Sequence, residues 1–507
     1  MIRRFLPDKI TCFSALSGFL LACSFPLPDY RLLAWLGLIP LILVMPKRPF
    51  KSGFVAGVVF FAVTLYWLNI VMTTYGHLPV LLSFMLYLLL AAYLALYWAI
   101  ASWAACRLRE FRGYSFALTL PVFWVALEFL REFLLTGFPW ASLGYSQHDW
   151  LPMVQSADLF GVYGVSYLIV LCNAALAECF LLKSHNPSQG RPGKALAVTI
   201  VLLLGNYAYG AWCLQQDPDT RAESLAVAVV QGNIPQEHKW RPENQVNTVK
   251  TYRDLSLRAE QDGEKELILW PEAAMPFYFQ DGGPLADSVA GLATEAKTSL
   301  LFGSPAYRRD SGALRYLNSA YLLSPTAEVQ GRSDKVHLVP FGEYVPLGKF
   351  LPFVNKLVAG IGDYSPGEIN PLPMGAHKLG VLICYEVIFP ELAREYVRQG
   401  SDLLVNITND AWFGKSSAPW QHLAMARFRA IENRVWVARA ANTGISAFIA
   451  PSGKVVKQTG LFETAFLSSE VGLGAQPKLY SHMGDLIPGA FLLICLLWLL
   501  QTRRRFF

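Results

Sequence analysis

Leu379-Gly380-Val381-Leu382-Ile383-Cys384-Tyr385-Glu386 sets a thiol and a carboxylate directly after an unbroken apolar run. An apolar run of that length, with Lys378 at its start, reads as a buried strand over Lys378–Ile383. Pro390 and Glu391 then read as the first turn of a helix, where a missing N–H and a carboxylate are both welcome. A cysteine between a strand end and a helix N-terminus feels a partial positive charge, which favours the thiolate. The flanking sequence repeats the alternation. Ser224–Gln231, Glu266–Trp270, Ser299–Phe302, Tyr316–Leu323, Leu403–Ile407, Val435–Ala440 and Ser446–Ile449 read as further strands. Stretches 243–261, 284–297, 390–399 and 418–433 read as helices, so residues 214–485 are expected to form sheets covered by helices, an α/β domain. No internal repeat or low-complexity segment interrupts it.

Outside 214–485 the composition changes. Hydrophobic residues make up 53% of the 507-residue chain and charged residues only 16%, an imbalance that points to membrane spans. Apolar runs fall at 10–25, 32–45, 53–74, 79–105, 114–136, 159–182, 195–213 and 486–501. The first two are short and bounded by Pro26, Pro28 and Pro40, so they read either as two spans or as a re-entrant hairpin. Basic residues stay on the cytoplasmic side in short loops. Arg3, Arg4 and Lys9, then Lys47, Arg48 and Lys51, then Arg107, Arg109 and Arg112, then Lys183, Arg191 and Lys194, and finally Arg503 to Arg505 all fall on one side. Arg31 is the exception. Both termini are thus expected to be cytoplasmic, with 1–213 a seven-span bundle, 214–485 a periplasmic domain, and 486–507 a last span with a basic tail. The net charge of +6 is spread in small clusters beside apolar runs, a pattern of membrane topology and not of a nucleic-acid face. Leu20-Leu21-Ala22-Cys23 also resembles a lipoprotein cleavage box after a signal-like run, but seven further apolar runs follow it and the topology closes without cleavage.

Of eight cysteines, seven lie in or beside apolar runs, where they act as small hydrophobes. Cys384 is alone in the polar domain. In an oxidising compartment such a thiol is either buried and inert or reactive, and position alone leaves both open. Two more polar motifs accompany it: Leu269-Trp270-Pro271-Glu272, and Asp334-Lys335-Val336-His337-Leu338-Val339-Pro340-Phe341-Gly342-Glu343. Singly, Glu272 reads as a loop carboxylate and Lys335 as a surface cation. Together the three motifs resemble the Glu-Lys-Cys triad of the nitrilase superfamily. Asn406-Ile407-Thr408-Asn409-Asp410-Ala411-Trp412-Phe413-Gly414 is a more specific match. Thr136–Trp140, Gly144–Gln147, Gln231–Gln236 and Arg427–Arg434 add to it. Over essentially its full length, the chain resembles the bacterial apolipoprotein N-acyltransferase family, the membrane-embedded branch of that superfamily.

The resemblance implies an αββα sandwich on a bundle of about eight spans in the bacterial inner membrane. It further implies transfer of the sn-1 acyl chain of a phospholipid to the N-terminal amine of a diacylglyceryl-cysteine lipoprotein. Carried over residue by residue, Cys384 would be the nucleophile, Glu272 the general base, and Lys335 the partner of the oxyanion. Glu343 would orient Lys335. Glu386 would contact substrate or the same lysine, and a main-chain N–H near Tyr385 would join Lys335 at the oxyanion. Trp240 and Trp412 are expected along the acyl path, although core packing would explain an aromatic there equally well. Partners are then a phospholipid, a lipoprotein and the bilayer, with no nucleic acid, no metal and no cofactor, for a monomeric chain.

Other readings stay open at this stage. A membrane-tethered amide or nitrile hydrolase would use the same triad with water as acceptor. A receptor or transporter with an inert nitrilase-like domain would need none of it, and a fold alone does not exclude that. Glu128, Arg131 and Glu132 sit in an apolar run, where charge is costly, and read either as functional or as snorkelling at a span end. The apolar stretch Pro346–Ser365 reads either as a loop packed on the sheet or as a lid that guides lipid tails.

Overall fold

A computed structural model of the chain describes residues 8–184, 192–216, 219–310, 312–345 and 364–503. The stretch 346–363, nearly all of the expected lid or packed loop, lies outside the described residues, as do Arg3, Arg4, Arg191, Arg504 and Arg505. The chain divides into two compact units, one of Met1–Thr73, Pro79–Gln215 and Met483–Phe507, the other of Thr74–Leu78 and Gln216–His482.

The first unit is helical. Among the described residues three helices are long and apolar enough to cross a bilayer, Val80–Arg112, Ala157–Leu181 and Gly193–Gln215. Pro49–Thr64 and Leu68–Tyr75, bent by 59°, make a fourth if they form one broken span. The remaining expected runs are apolar but shorter: Lys9–Ala22, Arg31–Val44, Phe116–Leu130 and Leu486–Thr502. They fall below the roughly 20 residues of a full crossing. Polar side chains gather at the end of Phe116–Leu130. Glu128 Oε1 accepts from Leu143 N at 2.8 Å and from Trp124 Nε1 at 3.1 Å, and Arg131 Nη2 donates to Ser142 Oγ at 3.0 Å. Glu128, Arg131 and Glu132 are all under 8% exposed, so they are interior polar anchors and do not snorkel. Arg31, the exception to the charge asymmetry, pairs with Asp149 at 2.5 Å.

Among its described residues the second unit holds two six-stranded sheets. The first has strand order β12-β1-β2-β3-β4-β5, from Ser224–Gln231 (β1), Leu267–Leu269 (β2), Ser299–Asp310 (β3), Ala313–Leu323 (β4), Val329–Asp334 (β5) and Ala465–Gly472 (β12). The second has order β11-β10-β9-β8-β7-β6, from Leu372–Met374 (β6), His377–Ile383 (β7), Leu403–Thr408 (β8), Val437–Ala441 (β9), Ala447–Ile449 (β10) and Val455–Gln458 (β11). Alternate residues of a strand face opposite ways, and both faces of β1 are apolar. Val227 and Val229, with Leu267, Leu269 and Leu301, meet Val381, Ile383, Val405 and Ile407 of the other sheet in one core. Ala228 and Val230, with Ile268, Leu300 and Phe302, meet Val249, Tyr252, Leu255, Val289 and Leu292 of helices Pro242–Gln261 and Pro284–Ala296. Helices Pro390–Arg398 and Ala418–Asn433 belong to the second sheet, the former packing on β7 and the latter on β9. The layers therefore run helix, sheet, sheet, helix. β1, β2 and β3 are parallel neighbours, as are β7, β8 and β9, so their C-terminal ends gather at one edge of each sheet.

Candidate active site

The nucleophile candidate is placed by an abrupt change of backbone direction. β7 ends at Ile383, and Cys384 adopts φ +55°, the left-handed region that costs an L-residue roughly 1–2 kcal/mol. A single turn of 3-10 helix, Cys384–Ile388, follows, so the thiol stands at a strained corner. Two devices hold that corner. Glu386 Oε2 accepts from Ile383 N at 2.6 Å while its Oε1 accepts from Val336 N at 2.6 Å and His337 N at 3.0 Å. The carboxylate thus ties the turn after Lys335 to the turn at Cys384, and it makes no hydrogen bond to the lysine itself. On the other side His422 bridges the Cys384 main-chain oxygen, at 3.2 Å, to Asp410 Oδ1, at 3.1 Å. Asp410 also receives Thr408 Oγ1 at 2.9 Å and Arg439 Nη2 at 2.7 Å, every member of the group being under 2% exposed.

Glu272 and Lys335 also follow strand ends. Trp270 continues β2, its N–H donating to Leu301 O at 2.8 Å and its Nε1 to Ser256 Oγ at 2.8 Å. Glu272 then passes so close to β3 that a Cβ on Gly303 would stand 2.7 Å from its Cα and 2.4 Å from Ala273 N. Lys335 extends β5, its N–H donating to Asn318 O at 2.8 Å. Its ammonium lies 2.9 Å from Glu343 Oε1 and 3.5 Å from Glu272 Oε1. Asn318 Nδ2 joins the same two carboxylates, at 2.8 Å to Glu272 and 2.9 Å to Glu343. Glu272 Oε2 accepts from Asn409 N at 3.0 Å, and Glu343 Oε2 from Val339 N at 2.8 Å.

Charge and burial decide how these groups rest. Burial pulls the Lys335 ammonium toward deprotonation, but Glu343 and Glu272 beside it outweigh that, so it stays charged, above the ordinary lysine range. Burial and the neighbouring Glu272 charge push the Cys384 thiol well above its usual value, although Lys335 opposes them. This corrects the expectation of a helix-favoured thiolate. One short turn offers little dipole, and the dry pocket beside a carboxylate outweighs it. Burial pushes Glu386 up to about 7 in spite of its three N–H partners.

The structure therefore brings buried Glu272, Lys335 and Cys384 and half-buried Glu343 into one electrostatic cluster, with Tyr385 buried beside it, its ring edge-on to Phe389 at 5.2 Å. Trp240 and Trp412 are 46% and 38% exposed. They sit on linked turns, since Asn409 Nδ2 donates to Gln236 Oε1 at 2.7 Å, and the Trp412 ring meets Tyr75 edge-on at 5.2 Å. Sequence reasoning misses Lys239, Asn318 and the Thr408-Asp410-His422-Arg439 group. Asn409, Asp410 and Thr408 stood inside a quoted motif, but nothing in their spacing shows which groups they serve.

The model of the apolipoprotein N-acyltransferase N-terminal domain matches residues 17–175, and that of the carbon-nitrogen hydrolases matches residues 226–475. Apolipoprotein N-acyltransferase of Geobacter metallireducens is 50% identical over 490 residues, 96% of this chain and 94% of that one. The enzyme of the same name from Pasteurella multocida is 35% identical over 96% of this chain and 94% of its own. Among solved structures, Saccharomyces cerevisiae Nit3, a member of branch 10 of the nitrilase superfamily, aligns at 20% identity and a TM-score of 0.39, covering 50% of this chain and 91% of that one. A bundle match and a hydrolase match lie side by side in one chain, and a relative aligns with nearly all of it at 50% identity, so the protein belongs to the apolipoprotein N-acyltransferase family.

Proposed function

We propose that this protein transfers a fatty acyl chain from a phospholipid, through a thioester on Cys384, to the N-terminal amine of a diacylglyceryl-cysteine lipoprotein. The observation that carries the reading is the single ammonium of Lys335 shared by Glu272 and Glu343 beside a neutral, buried thiol. A thiol held neutral needs a base at the moment of attack, and Glu272 is the carboxylate in place to take its proton. As the thiolate adds to the sn-1 ester carbonyl, negative charge builds on the carbonyl oxygen. Lys335, with a main-chain N–H near Tyr385, stabilises it. Collapse releases the glycerol oxygen, which takes from Glu272 the proton that came from the thiol, and leaves the acyl group on sulfur. The lipoprotein amine then attacks the thioester, Glu272 takes the proton shed by nitrogen, and the thiol is restored. Two substrates use one site in turn, which is ping-pong kinetics. Trp240 and Trp412 line the acyl path on the exposed rim of the two linked turns.

The same reading places 214–485 on the periplasmic face of the inner membrane as the catalytic domain. Residues 1–213 form the bundle, 486–507 the last span and tail, both termini are cytoplasmic, and the chain works as a monomer. It counts about eight crossings by adding the four shorter apolar helices to the long ones. The Arg31–Asp149 pair supports that count, because eight crossings put both loops on one face.

The test is mass spectrometry of the purified protein after incubation with phospholipid. A mass increase of one acyl chain on the Cys384 peptide is expected, discharged when a diacylglyceryl-cysteine peptide is added. Free fatty acid released at the same rate without any acceptor would instead make the protein a hydrolase.

A further inference from the structure

Lys239 is a lysine of the catalytic unit that the mechanism above leaves unused. Its side chain is wholly buried, on a single turn, Gln236–Lys239, whose neighbouring residues Glu237, His238 and Trp240 are exposed. Its Nζ donates to the main-chain oxygen of Glu272 at 3.1 Å, and it forms no ion pair with any described carboxylate. Burying an ammonium with one neutral acceptor is costly, so the position calls for an electrostatic reason. The nearby charges supply it. The carboxylates of Glu272 and Glu343 share one ammonium, Lys335, which leaves the trio with one surplus negative charge. Moving the Cys384 proton to Glu272 keeps that surplus and puts it on sulfur, in the same dry pocket. A second cation facing Glu272 and Cys384 cancels it.

We propose that Lys239 is a positioning residue of the acylation step: it pins the loop that carries Glu272 by its carbonyl and supplies the positive charge against which the Cys384 thiolate forms. The proposal rests on Cys384 as nucleophile. The groups that set the charge of Lys239 are the Glu272 carboxylate and the Cys384 thiol, with Lys335, Glu343 and Asp410 beyond them. Glu237 and His238 on its own turn, and Glu243 at the start of the adjoining helix, are exposed. Burial brings its ammonium down to about 8 against the pull of Glu272 and Cys384, so the charge is present at neutral pH and lost just above it.

The test is single-turnover acylation of the full-length protein in detergent by a short water-soluble ester, read as acyl mass on the Cys384 peptide across pH. The native protein should lose acylation rate above about pH 8. Lys239→Met should lack that fall and run lower at neutral pH by about tenfold or more, the effect of one pKa unit on thiolate formation. Lys239→Arg should recover part of the rate that Lys239→Met loses and carry the fall to higher pH, since guanidinium does not titrate there. A merely structural lysine would not move the alkaline limb. Lys239→Met with the native rate and profile, or Lys239→Arg with the fall unmoved, would overturn the proposal. If neither variant folds, a native rate that stays flat from about pH 7 to about pH 10, through the shifted and ordinary lysine ranges, overturns it. Acyl mass absent from Cys384 in the native protein would instead defeat the nucleophile assignment.

Discussion

A dry pocket changes what each side chain at the site contributes. Lys335 stays charged because two carboxylates hold it so, and Cys384 stays neutral because burial, and then one of those carboxylates, pushes its thiol up. Lys335→Met should therefore separate two reactions of the same sulfur. Acylation by an ester develops an oxyanion and should fall by about 100- to 1000-fold, the usual cost of losing such a donor. Alkylation by a small thiol reagent develops none and should fall much less; equal losses would remove the lysine from oxyanion stabilisation. Asp410 makes a stability prediction. Burial raises its carboxyl, but Arg439 and His422 outweigh that and hold it at about 2, against 3.8 unperturbed. A folded value below the unfolded one gives stability that is complete above the unfolded value and lost as pH falls through the folded one. That contribution is about 2 kcal/mol. Denaturation followed from neutral pH downward should show it disappearing below about pH 4. Asp410→Asn should lack that acid dependence and be less stable at neutral pH. Glu272 and Cys384 are legible in the sequence because each follows an apolar strand-like run, and Lys335 because of its motif, although the strand before it, Val329–Asp334, carries no apolar signature. Lys239 is not, because Gln236-Glu237-His238-Lys239-Trp240 has the composition of a surface turn, and only the tertiary structure buries one member of it.

At the scale of elements, apolar content governs what can be read. The central strands β1, β2, β7 and β8 are buried on nearly every residue and appear as apolar runs. The strands β5 and β11 lie at sheet edges with mostly exposed or half-buried residues, Val329-Gln330-Gly331-Arg332-Ser333-Asp334 and Val455-Val456-Lys457-Gln458, and carry no such signature. Helices Pro242–Gln261, Pro284–Ala296 and Pro390–Arg398 are legible because each is amphipathic with proline in its first turn, while Ala418–Asn433, buried on nearly every residue, shares only the proline. A contact between elements is invisible until they are folded, and Gly303 is the case in point. Gly303→Ala should force the Glu272 loop away from β3, because the new methyl would meet backbone and not a movable side chain. An ångström of misplacement at a reacting group can cost about 100-fold. The expected result is a folded protein with Lys335 still bonded to Glu343 and acyl transfer reduced on that scale. Native kcat in the variant would show that the loop has room to spare.

For the whole molecule, the first two short helices decide the number of crossings without altering the sidedness of the rest. Alkaline phosphatase fused after Gln215 should be active and after Arg112 inactive. Fused after Asp29, it should be active if Lys9–Ala22 and Arg31–Val44 each cross, and inactive if the pair is re-entrant. The catalytic unit has a further property in the way its first sheet closes. Its first strand, β1, and its last, β12, are antiparallel neighbours in register from Ser224 opposite Gly472 to Gln231 opposite Ala465. Leu473 N donates to Glu223 O at 2.9 Å, and Arg221 Nε to Gly474 O at 2.9 Å, just outside that register. The segment Gln216–His482 therefore begins and ends this sheet at one place, and a short linker between those two points would close it into a free-standing cassette without the Thr74–Leu78 segment of the unit. Cut out at residues 219 and 476 and joined in that way, it should fold with its sheets intact and still label at Cys384, a route to studying the thiol chemistry apart from the lipid.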